Sequence, residues 1–410
     1  MSSFSATAPA TAFPRTAVAG AQAPPEPDFG PRVRVFAPGT PAAEVRAALD
    51  AAATGPAGEH QAFLFRPGRY RVDARLGART WVAGLGLSPH EVTVEGALRA
   101  SGGRGPEDGD AVAAELRPPV ENLTLVPSAG VPAGGVVASR GKPFLYVDGA
   151  GAYRVFLPAL RGGAVPGGGG PAHGWSVPLD RFFVARPGDS VRTLNRALAQ
   201  GRHLLLTPGV YRLADTVRVK WAGTVVLGLG LAVLAPVGAT VPMTVSDARG
   251  VRIAGLLFDA GPVTSPVLLE LGRSGGGRSD PRAPASVQDV FFRIGGADTH
   301  RSTDAGRPPE GAQASRSGSE PAGGRAATAL VVNSDHVQLD RVWAWRAGQG
   351  TGAGWAAGGP GRGGCPADPP GRPGVRFHDL PAVARDGAGT QAHAIDGTGG
   401  AAQGAATVAG

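Results

Sequence analysis

Apolar and polar positions along the chain fall into two rhythms. One is the spacing apolar-x-x-apolar-x-apolar. It fits Val120-Glu121-Asn122-Leu123-Thr124-Leu125, Ile253-Ala254-Gly255-Leu256-Leu257-Phe258, Val287-Gln288-Asp289-Val290-Phe291-Phe292 and Leu339-Asp340-Arg341-Val342-Trp343-Ala344. The third position holds Asn, Gly, Asp or Arg, and three of these four residue types tolerate a bend. The fourth and sixth positions alternate as in a strand and are expected to point inward. The pattern predicts strand, bend, strand, with like residues stacking from coil to coil, as in a parallel β-helix. An amphipathic helix would not produce it.

The other rhythm is helical and occurs twice. Val191, Leu194, Ala197 and Leu198 form an apolar stripe, with Asp189 or Ser190 as N-cap and Gly201 as terminator. Val45, Ala48 and Leu49 form a similar stripe between about Pro41 and Ala53. Each helix belongs to a repeated order of parts. A strand ending in Pro38-Gly39 or Pro187-Gly188 comes first, and the helix follows. Then come Pro67-Gly68-Arg69-Tyr70 or Pro208-Gly209-Val210-Tyr211, and last Gly84-Leu85-Gly86-Leu87 or Gly228-Leu229-Gly230-Leu231. Short strands are predicted at Ala62–Phe65, Trp81–Val82, Val92–Val94, Leu204–Leu206 and Thr224–Leu227. The repeat predicts an all-β chain of two tandem lobes, each opened by a short capping helix.

Composition adds long loops to this picture. The 410 residues include 66 Gly and 38 Pro, concentrated in tracts at roughly 101–118, 161–174, 272–285, 297–327, 347–374 and 397–410. The expected organisation is a disordered segment at 1–32, an incomplete first lobe at 33–141 and linker strands at 142–180. A second lobe at 181–346, a low-complexity insertion at 347–374, and C-terminal strands with a tail at 375–410 complete it. The net charge of +8 comes almost wholly from dispersed arginines, since Lys142 and Lys220 are the two lysines. No basic run or nucleic-acid motif accompanies it, so no nucleic-acid partner is expected. No stretch is long and apolar enough to span a membrane. The first 25 residues lack a proper apolar signal core, although Ala17-Val18-Ala19 has the small-x-small form of a cleavage site.

Candidate chemistry is sparse. Cys365 stands alone, so no intrachain disulfide or cysteine metal site is expected. The eight histidines show no metal-ligand spacing, and neither metal nor cofactor is expected. The two Gly-Leu-Gly-Leu blocks lack the following glycine and helix of a dinucleotide site, and they read as close packing of coil backbones. Gly272-Arg273-Ser274-Gly275-Gly276 matches a nucleophile elbow in letters alone. Acids on predicted coils are Asp247, Asp259, Glu270, Asp289, Asp335 and Asp340. Asp259 follows inward Phe258 and should face outward, with Arg293 and Trp345 at the matching positions of later coils. It is a candidate catalytic acid on a solvent-facing groove, or one rung of an outward ladder. Asp340 is the second candidate, at a bend where Asp also serves turn geometry. Trp343 and Trp345 should both face outward, as sugar platforms or as a packing stripe with Leu257 and Phe291.

Several strings carry a family resemblance: Pro143-Phe144-Leu145-Tyr146-Val147-Asp148, Val225-Val226-Leu227-Gly228-Leu229-Gly230-Leu231, Ile253–Gly261, Asp289–Gly296 and Gly374–Asp379. They resemble secreted actinobacterial proteins labelled coagulation factor 5/8 type or adenylyl cyclase-like, with a pectate-lyase-like right-handed β-helix. The tandem layout is similar to that of the β-1,3-glucanases of glycoside hydrolase family 55. The resemblance implies an extracellular, monomeric protein whose partner is a polysaccharide or cell-wall glycan. It also implies a glycoside hydrolase rather than a lyase; the coil register puts forward Asp259 and Asp340 as its catalytic acids and Trp343, Trp345 and Arg293 as substrate-binding. Relatives are expected to carry further coils after Leu125 and after Trp355, and an Asp-His pair where this chain has Gly348-Gln349. A shortened, non-catalytic glycan-binding or scaffold protein is the alternative.

Overall fold

A helix forms at each of the two predicted apolar stripes. In the computed structural model, helix α1 spans Ala42–Thr54 and buries Val45, Ala48 and Leu49. Helix α2 spans Val191–Ala199, and the Ser190 hydroxyl accepts the Thr193 N–H at 3.1 Å. Gly201, at φ +76°, turns the chain out of α2. The structure describes residues 25–54, 60–77, 79–100, 120–127, 135–137, 141–160, 173–272, 280–295, 324–347, 375–377 and 405–408.

The strands stack in parallel. Val33–Phe36, Gln61–Phe65, Thr80–Gly84 and Val120–Glu121 make one sheet, and Gly68–Leu76, Val92–Ala100 and Leu123–Val126 make another. A larger sheet runs through Phe182–Ala185, His203–Leu206, Val225–Pro236, Arg252–Asp259, Ala285–Gly295 and Val337–Ala347. Beside it lie Val217–Val219, Met243–Val245, Ser265–Leu271 and Ala326–Val332. Between the two stacks sits an antiparallel sheet of Phe144–Val147, Tyr153–Pro158 and Gly174–Pro178.

The period-2 side-chain rule divides three cores among these strands. Phe63, Phe65 and Val82 fill the interior of the first stack with Leu49 and Leu76. Their neighbours Ala62, Leu64, Trp81 and Ala83 point the other way. There they meet Leu145, Val155 and Leu157 of the antiparallel sheet and Leu205, Val225 and Leu227 of the second stack. Leu204, Leu206 and Val226 turn into the second interior. The apolar runs are therefore buried on both faces.

The bends behave as the spacing requires. Asn122, Asp289 and Arg341 adopt φ of 52°, 56° and 54°, and Gly255 adopts 69°. Their fourth and sixth positions enter the cores: Leu256, Phe258, Val290 and Phe292 fully, and Val342 and Ala344 in part. The Gly-Leu-Gly-Leu blocks exist because backbones nearly touch there. A Cβ on Gly84 would sit 2.0 Å from the Asn122 carbonyl, and one on Gly228 would sit 2.1 Å from the Gly255 carbonyl. The Pro-Gly-Xaa-Tyr turns also share one device. Tyr70 reaches the carbonyls of Phe36 (3.0 Å) and Arg66 (2.7 Å), and Tyr211 reaches those of Ala185 (2.8 Å) and Thr207 (3.0 Å).

Two expectations change. Residues 25–32 were expected to be disordered with the rest of 1–32, but they pack. Phe29 is buried edge-on against Tyr153, Glu26 pairs with Arg66, and Asp28 pairs with Arg186. The strand predicted to end at Leu227 continues to Pro236, with a register shift between Leu227 and Ala232 that absorbs the Gly-Leu-Gly-Leu bend. All of the 347–374 insertion after Ala347, Cys365 included, and most of 375–410 lie outside the described residues.

Candidate functional site

The three positions of the predicted ladder fall opposite one another in the backbone register. Asp259 stands opposite Arg293, and Arg293 stands opposite Trp345. Alternation turns this rung away from the core that holds Phe258 and Phe292. The expectation of a free, solvent-facing carboxylate is corrected: Asp259 is 6% exposed. Arg293 Nε donates to Asp259 Oδ1 at 2.7 Å and Nη2 donates to Oδ2 at 2.5 Å. This fork engages both carboxylate oxygens, so Asp259 orients the guanidinium plane and Arg293 is not free to reach a ligand by those two nitrogens. Beside the pair, Val233, Leu257 and Phe291 form a buried outward cluster with Val210. Trp343 pairs with Phe291 and Trp345 with Arg293 through the backbone, while their side chains lie outside the described residues.

Asp340 is half-buried and pairs in register with Gln288, which in turn pairs with Ala254. It therefore lies five residues along the strand and two strands across from Asp259. At the usual rise and strand spacing their backbones are roughly 17–19 Å apart, the lower figure allowing for the bend at Gly255. Glycosidic carboxyl pairs stand about 5–9.5 Å apart. The fold does not bring Asp259 and Asp340 together as one acid and base pair. Of the remaining acids, Asp247 pairs with Arg249 at 2.6 Å, and Glu270 accepts the Asn333 amide at 3.2 Å.

A second polar cluster was not anticipated. Lys142 Nζ lies 2.8 Å from Glu121 Oε1 and 2.7 Å from Asp289 Oδ2, and Arg341 Nε lies 3.4 Å from Asp289 Oδ1. Lys142, Glu121 and Asp289 are all buried. Two cations and two anions thus neutralise one another at the bends, joining the first stack, the linker and the second stack. Gln288 adds an amide donation to the Gly141 carbonyl at 3.2 Å. The signal available in sequence was the rarity of lysine in a chain that otherwise uses arginine.

Elsewhere the titratable groups serve packing. His203 Nδ1 accepts the Val225 N–H at 3.1 Å. Burial, and then Arg181, hold the His203 pKa below its ordinary 6.5. His60 Nδ1 donates to the Leu231 carbonyl at 3.0 Å, tying the two stacks. Burial raises the Tyr153 phenol to about 12. Among the described residues no three His, Cys, Asp or Glu side chains converge to hold a metal ion. No helix among them is long and apolar enough to cross a membrane.

Stacked parallel strands, left-handed bends and a charged outward rung define a β-helix of the pectate-lyase-like kind. Residues 182–365 match the LAM55 pectate lyase-like domain. The chain is 32% identical to an exo-β-1,3-glucanase of Streptomyces sp. (strain SirexAA-E / ActE), across 80% of its own residues. It spans 65% of that relative's length, just under two thirds. The structure of sacteLam55A from Streptomyces sp. SirexAA-E superposes with a TM-score of 0.63 at 30% identity, covering 86% of this chain and 74% of that one. A variant of sacteLam55A in complex with glucose superposes at 0.61 and 29%. The chain belongs to this glucanase-like, LAM55-type β-helix family. None of these relatives carries the coagulation factor or adenylyl cyclase label.

Proposed function

We propose that the protein is a secreted, polysaccharide-interacting β-helix protein acting on a glucan, as a glycoside hydrolase of the kind its relatives represent. The observation that carries this reading is the 32% identity to an exo-β-1,3-glucanase across 80% of the chain. The outward rung supplies the substrate face in this reading. Asp259 fixes Arg293, Trp343 and Trp345 offer ring platforms, and Asp340 is the acid on the same sheet. Because Asp259 is occupied by Arg293, it acts as a positioning residue, and a second carboxylate must partner Asp340.

A non-catalytic glycan-binding or scaffold protein is the second reading. It is favoured by the backbone separation of roughly 17–19 Å between the two predicted acids and by the engagement of Asp259. Purified protein incubated with soluble and insoluble β-1,3-glucan separates the two, with reducing sugar and retention on the polymer both measured. Sugar release that falls at least a hundredfold in Asp340→Asn, with an unchanged melting temperature, supports hydrolysis. Retention without release supports binding, and neither release nor retention sinks the glucan reading.

A further inference from the structure

The first stack presents an open face that the outward rung does not use. Alternation sends Arg69, Arg71, Asp73 and Arg75 of Gly68–Leu76 outward and buries Tyr70, Val72, Ala74 and Leu76. On the neighbouring strand Val92–Ala100, Glu95 stands opposite Arg71 and Arg99 stands opposite Arg75. Like charges facing each other across two strands destabilise a sheet. Arg75 and Arg99 are nevertheless both exposed, and neither side chain has an ion-pair partner among the described residues. This sheet face therefore sets four arginines against two carboxylates.

Helix α1 walls this face on one side. The Asp50 carboxylate accepts the Arg75 N–H at 3.1 Å, which fixes the helix beside the edge strand. Exposed Arg46 lies one turn earlier on the helix. A cleft of about 560 Å³ runs between helix and sheet, lined by Arg46, Arg71, Asp73 and Glu95 over Gly96. A hollow of about 270 Å³ beside it adds Arg69. Openings of about 300–1,000 Å³ hold small ligands. Glu95 accepts Arg69 Nη1 at 3.3 Å and Arg71 Nε at 3.1 Å, which takes one nitrogen of each fork. Both arginine side chains are exposed, so their other donors are open to a ligand. The Arg46 and Asp73 side chains in the same cleft have no hydrogen-bond or ion-pair partner among the described residues.

We infer that this cleft on the first stack binds an acidic polysaccharide, a sugar polymer that carries carboxylate or sulfate groups. Its acid groups lie on Arg46 and on the Arg69–Arg71 pair that Glu95 orients, and its hydroxyls donate to Asp73 and Glu95. The two carboxylates select against a bare polyanion, which they repel and which has no hydroxyls to give them. Tyr70 is the aromatic side chain among the lining residues, and it is buried with its hydroxyl bonded to two carbonyls. The cleft therefore lacks the stacking platform that single-stranded nucleic acid uses. This site stands on the other stack from the outward rung and does not rest on the glucan reading.

The test is calorimetric titration of the full chain with alginate oligosaccharides, a sulfated glucan and single-stranded DNA, with the melting temperature measured in parallel. Arg46→Ala and Arg71→Ala are each expected to weaken binding of the acidic sugar about three- to tenfold, and the double variant more. Arg71→Lys should keep part of the affinity, since the charge stays and the fork does not. Arg192→Ala removes one exposed charge from helix α2 and should bind like wild type. Added salt should weaken binding steeply. Melting, and any release of sugar from a short neutral β-1,3-linked oligosaccharide, should be unchanged in these variants, so the glucan reading stands or falls separately. Binding of the uronate alone, or of the sulfated glucan alone, supports the inference and names the acid group. The inference is overturned if neither acidic sugar binds, if the double variant binds like wild type, or if Arg192→Ala loses as much as Arg71→Ala. It is also overturned if DNA binds as tightly as the acidic sugar, or if the loss tracks a lower melting temperature.

Discussion

In the first stack Glu95 takes Arg69 at 3.3 Å and Arg71 at 3.1 Å on an open face, where the arginine side chains are 80% and 87% exposed. In the second stack Asp259 takes Arg293 by a bidentate fork, with both side chains under a tenth exposed. The chemistry is the same and the solvent is not. The exposed pairs are screened by water and contribute little, whereas the buried pair cannot lose one partner without stranding the other. The openings of the two stacks, by contrast, are nearly interchangeable: a helix with an apolar stripe, a tyrosine bonded back to two carbonyls, a glycine beneath the carbonyl of a bend. The devices that build the coil recur, and the outward faces have diverged. These shared parts report fold, and function must be sought where the two stacks differ.

The largest expected effect breaks the contrast directly. Asp259→Asn should cost about 3–5 kcal/mol in urea unfolding, because it removes the ionised partner of the buried Arg293 fork. Glu95→Gln should cost under about 1 kcal/mol. Equal losses would mean that exposure is not what distinguishes the two faces. The same arithmetic warns that an activity loss in Asp259→Asn must be read beside its stability.

Next come the glycines. Gly84→Ala and Gly228→Ala should each cost about 3 kcal/mol, since the new Cβ meets a backbone carbonyl at 2.0 or 2.1 Å. Gly39 and Gly188 occupy matching places in the two openings with nothing within 4 Å. Alanine there should be neutral or stabilising by up to about 1 kcal/mol. Thermal unfolding of the four variants checks whether the two copies respond in matched pairs.

The smallest effect concerns pH and only the second stack. Burial favours neutral His203 in the folded chain. The unfolded chain therefore binds that proton more readily, and stability falls as pH drops below about 6.5. His203→Asn keeps an acceptor for the Val225 N–H and should flatten this slope. An unchanged slope between pH 7 and 5 would show that His203 does not carry it.

Helix stripes, strands and bends were legible in the sequence because each rests on local spacing. Val45, Ala48 and Leu49 had to share a helix face, and Asn122, Gly255, Asp289 and Arg341 had to sit where the apolar alternation changes direction. The direction of Asp259 was legible for the same reason. Its burial was not, because alternation says which way a side chain leaves a strand and nothing about what closes over it. The charge junction was hidden more deeply. Lys142 and Asp289 are 147 residues apart, and no local rule connects them. The contact of Arg252 with the Trp175 ring was missed because an arginine at the head of an apolar strand looks like an ordinary strand boundary.

Lys142 also has a consequence for the order of assembly. During synthesis Glu121 and Lys142 emerge early and can meet as soon as the first stack forms. Asp289 and Arg341 arrive only after the second stack has laid down most of its rungs. The junction is therefore a late latch, closing only when both stacks are built. Once it is shut, neither stack can open at that bend without exposing half of a charge balance to the other's interior.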